Sequence, residues 1–228
     1  MQYSTYLLDL DHTLFDSDVS EDTAFAETLL AAGIEAPERY KAAYRTINLE
    51  LWACVERHEL SPQQVRTRRF ERLVEIEGID ADPLQMADDF VAGLCANGEL
   101  YEGAREVLEQ LGQLVSLALV TNGLSEVQRA RIERLGIDAY FDAVVISAEV
   151  GVAKPGPEIF DIAFQALGAP ARSSAVMVGD NLSSDIEGGA NYGIATCWYN
   201  PDGRSTERTD RVVHEIRKLE ELLGFVAV

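Results

Sequence analysis

The sequence predicts an α/β protein, a mainly parallel sheet with helices on both faces, interrupted by an inserted all-helical segment. Three observations predict it. Tyr3 to Leu10 is a run of mostly apolar, aromatic and β-branched residues that reaches two carboxylates, Asp9 and Asp11, and it reads as a buried strand. From about Asp22 to Ala96 only helical periodicity is present. From Leu100 onward helical and strand-like stretches alternate, the pattern of a parallel sheet with crossover helices.

Taken in order, the first strand gives way at Phe15 to a polar link, Asp16 to Glu21. A helix over Glu21–Ala32 stops at Gly33. Pro37 opens a longer helical pattern through Leu60, with apolar or aromatic positions at Tyr40, Tyr44, Ile47, Leu51 and Val55. Ser61-Pro62 and Asp82-Pro83 are each an N-cap followed by a first-turn proline, starting helices that end at Gly78 and about Ala96. Asn97-Gly98 is a turn. A helix over Glu102–Gly112 then precedes a strand at Val115–Val120. Helix Ser125–Leu135 stops at Gly136, and a strand follows at Ala143–Ile146. Helix Pro157–Leu167, strand Ala175–Val178, a short helix Ser184–Asn191 and strand Ile194–Tyr199 continue the alternation. Val212-Val213 is a candidate edge strand before a last helix near Arg217–Leu223. The expected division is a core of residues 1–15 and 97–228, with residues 16–96 as a helical insert.

The formal net charge of −20 argues against nucleic-acid polymers and anionic membranes, which require basic surfaces. No apolar run is long enough to cross a bilayer, and no basic-then-apolar leader pattern is present. Cys54, Cys95 and Cys197 are scattered and form no Cys-x-x-Cys, as expected of reduced thiols in the cytoplasm. His12, His58 and His214 form no cluster. An anionic substrate, repelled at long range by such a chain, needs local cations to hold it.

Four stretches at strand ends carry candidate chemistry. Asp9 and Asp11 stand one residue apart at a strand tip, where two unpaired charges are costly. An aspartate there can act as a nucleophile forming an aspartyl-phosphate, and a neighbour can bind Mg²⁺ or move protons. Alone, the pair also fits a strand followed by an Asx-turn. Thr121-Asn122-Gly123 offers a hydroxyl, an amide and a freed backbone at the start of a helix, or an ordinary cap with a glycine turn. Lys154, one of three lysines, is held by Pro155 in non-helical backbone; a lone lysine is usually a solvated charge. Asp180 follows Gly179 directly after an apolar run, and Asp185 lies five residues on.

In order and spacing, Asp9-x-Asp11-x-Thr13, Thr121-Asn122, Lys154-Pro155 and Gly179-Asp180-x₄-Asp185 resemble the motifs of the haloacid dehalogenase-like (HAD) phosphatases over nearly the whole chain. The resemblance implies a Rossmann-like core with the first strand central, flanked by the strands carrying the second and fourth motifs, and a helical cap over the site. It implies a Mg²⁺-dependent phosphomonoester hydrolase. Asp9 would be the nucleophile, and Asp11 the acid that protonates the leaving oxygen and then activates water. Thr121 and Lys154 would bind the phosphoryl group, with backbone donors from Asn122 and Gly123. Asp9, the Asp11 carbonyl and Asp180 would hold Mg²⁺, and Asp185 would orient that shell and Lys154. Four aspartates and a phosphate dianion would otherwise face one lysine, and at an effective dielectric of ~20 each unit pair at 4 Å is worth roughly 4 kcal/mol.

Within the superfamily, haloacid dehalogenases are the rival reading, but a halide leaving group needs no acid such as Asp11; sugar-phosphate phosphatases and mutases keep both aspartates. From another class, a phospho-accepting receiver combines Asp, Thr, Lys and Mg²⁺ on a similar sheet, yet needs no cap and orders its motifs differently. The motif-two and motif-three stretches, with Ile47-Asn48-x-x-Leu51-Trp52 and Arg69-Phe70-Glu71 in the insert, look like the pyrimidine 5′-nucleotidase branch. A nucleoside 5′-monophosphate or similar small phosphate ester is the expected substrate, with Phe15, Asn48, Trp52 and Arg69 as candidate contacts. Trp52 at helical spacing with Ile47, Leu51 and Val55 equally suits a core position. The choice between monomer and homodimer stays open.

Overall fold

The structure is a computed structural model and describes residues 2–207 and 210–227. Its described residues form one sheet of six parallel strands in the order β3-β2-β1-β4-β5-β6. These are β1 (Thr5–Leu8), β2 (Ser116–Thr121), β3 (Ala143–Ile146), β4 (Ala175–Gly179), β5 (Ala195–Tyr199) and β6 (His214–Ile216). The first strand is central, between the strands that carry the second and fourth motifs, as expected. Leu8 is in register with Leu119 on one side and Val178 on the other, which aligns the three carboxyl ends beside the point where strand order reverses. Ligands bind at such a crevice in open α/β sheets.

Two apolar layers cover the sheet. Tyr6, Leu8, Leu117, Leu119, Val176 and Val178 lie in one cluster; the alternate residues Leu7, Ala118, Val120 and Met177 lie in another. This is the two-residue period of a strand buried on both faces. The covering helices are α5 (Ala104–Leu111), α6 (Ser125–Leu135), α7 (Ser147–Val150), α8 (Pro157–Ala166) and α9 (Glu187–Tyr192).

The chain leaves this core at Phe15 and returns at Leu100. The two crossings are tied together, Asp16 N–H donating to Glu99 O (3.0 Å) and Tyr101 N–H to Leu14 O (2.9 Å). Between them run α1 (Ser17–Ala31), α2 (Lys41–Glu56), α3 (Pro62–Glu77) and α4 (Pro83–Ala96). These helices have their own apolar cluster, centred on Tyr44, whose ring stacks on Phe25 at 4.4 Å and meets Phe90 edge-on at 5.6 Å. The local start signals act as read. Ser61 and Gln64 form a capping box, and Asp82 caps α4.

Several boundaries differ from the sequence reading. The polar stretch after Phe15 is already helix from Ser17, because Asp16 caps it, accepting from Val19 N–H. The first strand is four residues long; Asp9 to Asp11 lies beyond its end. Asn97 caps the C-terminus of α4. The short helix expected over Ser184–Asn191 is a π-helical turn, Leu182–Ile186, running into α9. The edge strand falls at His214–Ile216 rather than Val212-Val213, and the last helix is 3₁₀, Leu219–Phe225. The four-residue α7 has no counterpart in the sequence reading, being shorter than any period can report.

Candidate active site

At the carboxyl end of β1 the chain turns at once, and Asp9 is carried to the base of a cleft of about 450 Å³. Asp9, Asp180 and Asp185 bring carboxylate oxygens within 4.8 Å of one another. Gly179 makes this possible: a Cβ there would lie 2.1 Å from Asp185 Oδ2, so the side chain of Asp185 occupies the space a larger residue would fill. Thr13 links the two strand tips, its hydroxyl donating to Asp9 Oδ2 (3.4 Å) and accepting from Asp180 N–H (3.1 Å).

Lys154 enters from the loop after α7, 1 % exposed. Its ammonium lies 2.5 Å from Asp9 Oδ1 and 2.8 Å from Asp185 Oδ1, and donates to Val120 O at 2.6 Å. Burial would lower its pKa, but Asp185 and Asp9 outweigh burial and hold the ammonium above its usual range. Asn122 fixes the loop: its Nδ2 donates to Lys154 O and its Oδ1 accepts from Lys154 N–H, each at 2.9 Å.

Lys154, with Arg204 3.7 Å from Asp180 Oδ2, does not balance the three carboxylates of this site. Burial pushes Asp9 well above the usual carboxylate range, with Asp185, Asp11 and Asp180 adding to it against the pull of Lys154. Asp180 is pushed up to about 6 by burial and by Asp185. Asp185 Oδ1, in contact with Lys154 but outside hydrogen-bond geometry, is a buried oxygen with no hydrogen-bond donor. A hard divalent cation such as Mg²⁺ takes such oxygen ligands, and Asp9, Asp180 and Asp185 fit one.

Asp11 has separate neighbours. Its Oδ1 accepts from Ser17 Oγ (2.6 Å) and Arg131 Nη1 (2.7 Å), and its Oδ2 accepts from Gln128 Nε2 (2.6 Å). Burial works to raise its pKa, but Arg131, Ser17 and Gln128 prevail and Asp11 lies below the usual range.

A model of haloacid dehalogenase-like hydrolases matches residues 3–193. The chain belongs to this family. The pyrimidine 5′-nucleotidase PynA of Streptococcus pneumoniae is 32% identical over 224 residues, covering 98% of this chain and 94% of its own. The pyrimidine 5′-nucleotidase YjjG of Escherichia coli is 33% identical over 225 residues, with 96% and 98% covered. The crystal structure of the HAD-hydrolase YfnB of Bacillus subtilis, bound to magnesium and described as revealing interdomain movement, matches with a TM-score of 0.90. It is 31% identical, with 100% of both chains covered. No helix among the described residues is long and apolar enough to cross a membrane.

The fold of this HAD-like hydrolase brings Asp9, Asp11, Lys154, Asp180 and Asp185 to one cleft, which Asn122 and Gly123 also line. Asp185, expected to orient the metal shell and Lys154, contacts Lys154 at 2.8 Å and brings a carboxylate oxygen within 4.8 Å of those of Asp9 and Asp180. Other expected residues are placed differently. Thr121 is fully buried at the end of β2, its hydroxyl taken up by Gln128 Nε2 at 2.8 Å. Gly123 N–H, expected as a free donor, is spent on Ser147 Oγ at 3.1 Å. Phe15, expected along the opening, is fully buried in the core of the sheet, with Arg131 4.5 Å above its ring. Asn48, Trp52 and Arg69 do line the cleft. Asn48 Nδ2 donates to Glu21 Oε1 (2.8 Å) while its Oδ1 has no hydrogen-bond partner, and Arg69 is bound to Val65 O and Tyr44 Oη. Gln128, Arg131 and Glu21 are missing from the sequence reading. The first two sit one turn apart among apolar positions of α6, and their burial shows only once α6 is packed.

Proposed function

We propose that this hydrolase is a Mg²⁺-dependent phosphomonoesterase acting on pyrimidine nucleoside 5′-monophosphates or close analogues. The observation that carries the reading is the Asp9 carboxylate, buried against Lys154 within a three-aspartate cluster that fits a cation, with Asp11 at the same cleft. Asp9 attacks phosphorus. The bond to the ester oxygen breaks, and that oxygen takes a proton from Asp11. Water then attacks the phosphorus of the aspartyl-phosphate and gives a proton to Asp11, and the bond to Asp9 breaks with its electron pair returning to the carboxylate. Lys154 holds phosphoryl oxygens and balances Asp9 and Asp185. When bound, Mg²⁺ would supply charge stabilisation on the transferring group. Asp11 favours ester chemistry over dehalogenation, since a halide leaves without a proton.

Residues 16–96 serve as the cap and select the substrate. Trp52, with Leu49 and Leu124 along the same cleft, offers an apolar wall for a base. The nucleotidase relatives support a nucleotide, and a cleft of about 450 Å³ is of the size that holds small ligands. The test is a phosphate-release screen over nucleotides, sugar phosphates and phosphoglycolate, with and without Mg²⁺. Highest kcat/KM on UMP, CMP or dTMP, dependent on the metal, is the expected result. Preference for a sugar phosphate rejects the nucleotide reading alone, and no release from any ester rejects the chemistry.

A further inference from the structure

On α6, Gln128 and Arg131 are 1 % and 4 % exposed, and both are directed at Asp11 (2.6 and 2.7 Å). Gln128 also donates to Thr121 Oγ1, and a Cβ on Gly123 would come within 2.7 Å of its Nε2. The glycine of Thr121-Asn122-Gly123 therefore leaves room for this amide. Arg131 is itself fixed on several sides: Nη2 donates to Ser20 Oγ (3.1 Å), Nε to Leu94 O (3.2 Å), and its guanidinium covers Phe15. With Ser17, three donors converge on a carboxylate that has about four acceptor positions. One position is left.

We propose that Gln128 and Arg131 are positioning residues for the second half of the reaction. They fix the Asp11 carboxylate so that its remaining lone pair receives the proton of the water that cleaves the aspartyl-phosphate on Asp9. In that step the water oxygen bonds to phosphorus, the phosphorus–oxygen bond to Asp9 breaks, and the proton passes to Asp11. Because Arg131 also grips Ser20 on α1 and the end of α4 through Leu94, the orientation of Asp11 is tied to the seating of the inserted helices. The inference rests on Asp9 as nucleophile and Asp11 as base.

The test uses the full chain with Mg²⁺ and p-nitrophenyl phosphate, whose phenolate leaves without a proton, so that the first half of the reaction does not need Asp11. In Gln128→Leu and Arg131→Met, stopped flow is expected to show a burst of about one nitrophenol per active site. A steady rate about 10- to 100-fold below wild type should follow, with phosphate retained on acid-quenched protein. The steady rate divided by burst amplitude does not depend on how much of a preparation is folded, so a merely structural defect leaves it unchanged. Arg131→Lys, which keeps the charge, should recover part of the rate. Should Arg131→Met not fold, Gln128→Leu decides. Burst and steady rate falling together, an unchanged rate, or a faster one would overturn the proposal; the last would mean the contacts store Asp11 away from the reaction. A wild-type chain releasing no phosphate would instead refute the phosphatase reading beneath it.

Discussion

On the floor of the cleft, negative charge exceeds positive: Asp9 and Asp185 flank Lys154, Asp180 lies beside them with Arg204 3.7 Å from its Oδ2, and the buried Asp185 Oδ1 lacks a hydrogen-bond donor. On the helical side, most polar groups are paired with one another, Asn48 Oδ1 being the buried exception in the cleft. Glu21 Oε1 accepts from Asn48 Nδ2 and Tyr44 Oη, Tyr44 accepts from Arg69, and Arg69 lies 5.1 Å from the Phe90 ring centroid. The floor is incomplete without a cation and an anionic group, as expected of a site arranged for charge that develops in a reaction. The helical wall is nearly complete without a ligand, and what it leaves to a substrate is the buried Asn48 Oδ1, which has no hydrogen-bond partner, and the half-buried Trp52. On the proposed function, chemistry and selection would rest on different physics, electrostatics below and shape with stacking above.

The most damaging break of the floor is Asp9→Asn. Turnover is expected to fall on the order of 10⁴-fold or more, and phosphate labelling of the protein should vanish; near-normal turnover would refute the mechanism. Rigorous chelation with EDTA should remove activity on every ester, with Mg²⁺ restoring it, since the aspartate cluster that would hold the metal lies on the floor and serves every substrate alike. Asp11→Asn should slow turnover by roughly 10²- to 10⁴-fold while phosphoenzyme accumulates; loss of labelling together with turnover would assign Asp11 to the first step only.

The wall is probed by Trp52→Ala. Base stacking on an aromatic is worth roughly 1–3 kcal/mol, and KM for a pyrimidine nucleoside monophosphate should rise by about 5- to 150-fold by the same figure. The KM for p-nitrophenyl phosphate should hardly change. Equal losses on both would make Trp52 a packing residue, and the contrast between floor and wall would fail.

The smallest effect concerns Glu21. Burial raises its pKa against the pull of Arg69, His12 and Arg131. A carboxyl raised in the folded state stabilises at low pH and loses that contribution as pH climbs through its folded value. Glu21→Gln keeps the acceptor oxygen that Asn48 and Tyr44 use but carries no charge. Its Tm should exceed that of wild type by a margin that widens from pH 4 to pH 8. A difference independent of pH would show that the charge of Glu21 is fully compensated.

The sequence by itself determined the sheet, the inserted helices and the charged tips. Those features are local: apolar runs of strand length, caps such as Ser61-Pro62, and aspartates placed directly after Leu8 and Gly179. It also determined the family, because spacing of the motifs along the chain survives in one dimension. Only tertiary structure decided how the tips are wired. Gln128 and Arg131 reach Asp11 across 117 and 120 residues of sequence, Asn122 grips the Lys154 backbone across 32, and Gly123 gives its N–H to Ser147. Phe15 turned inward for the same reason. A helix such as α6 presents a polar residue to solvent or to a neighbour according to how it is rotated against the sheet, and that rotation is set by packing across the whole core. No window of sequence contains it.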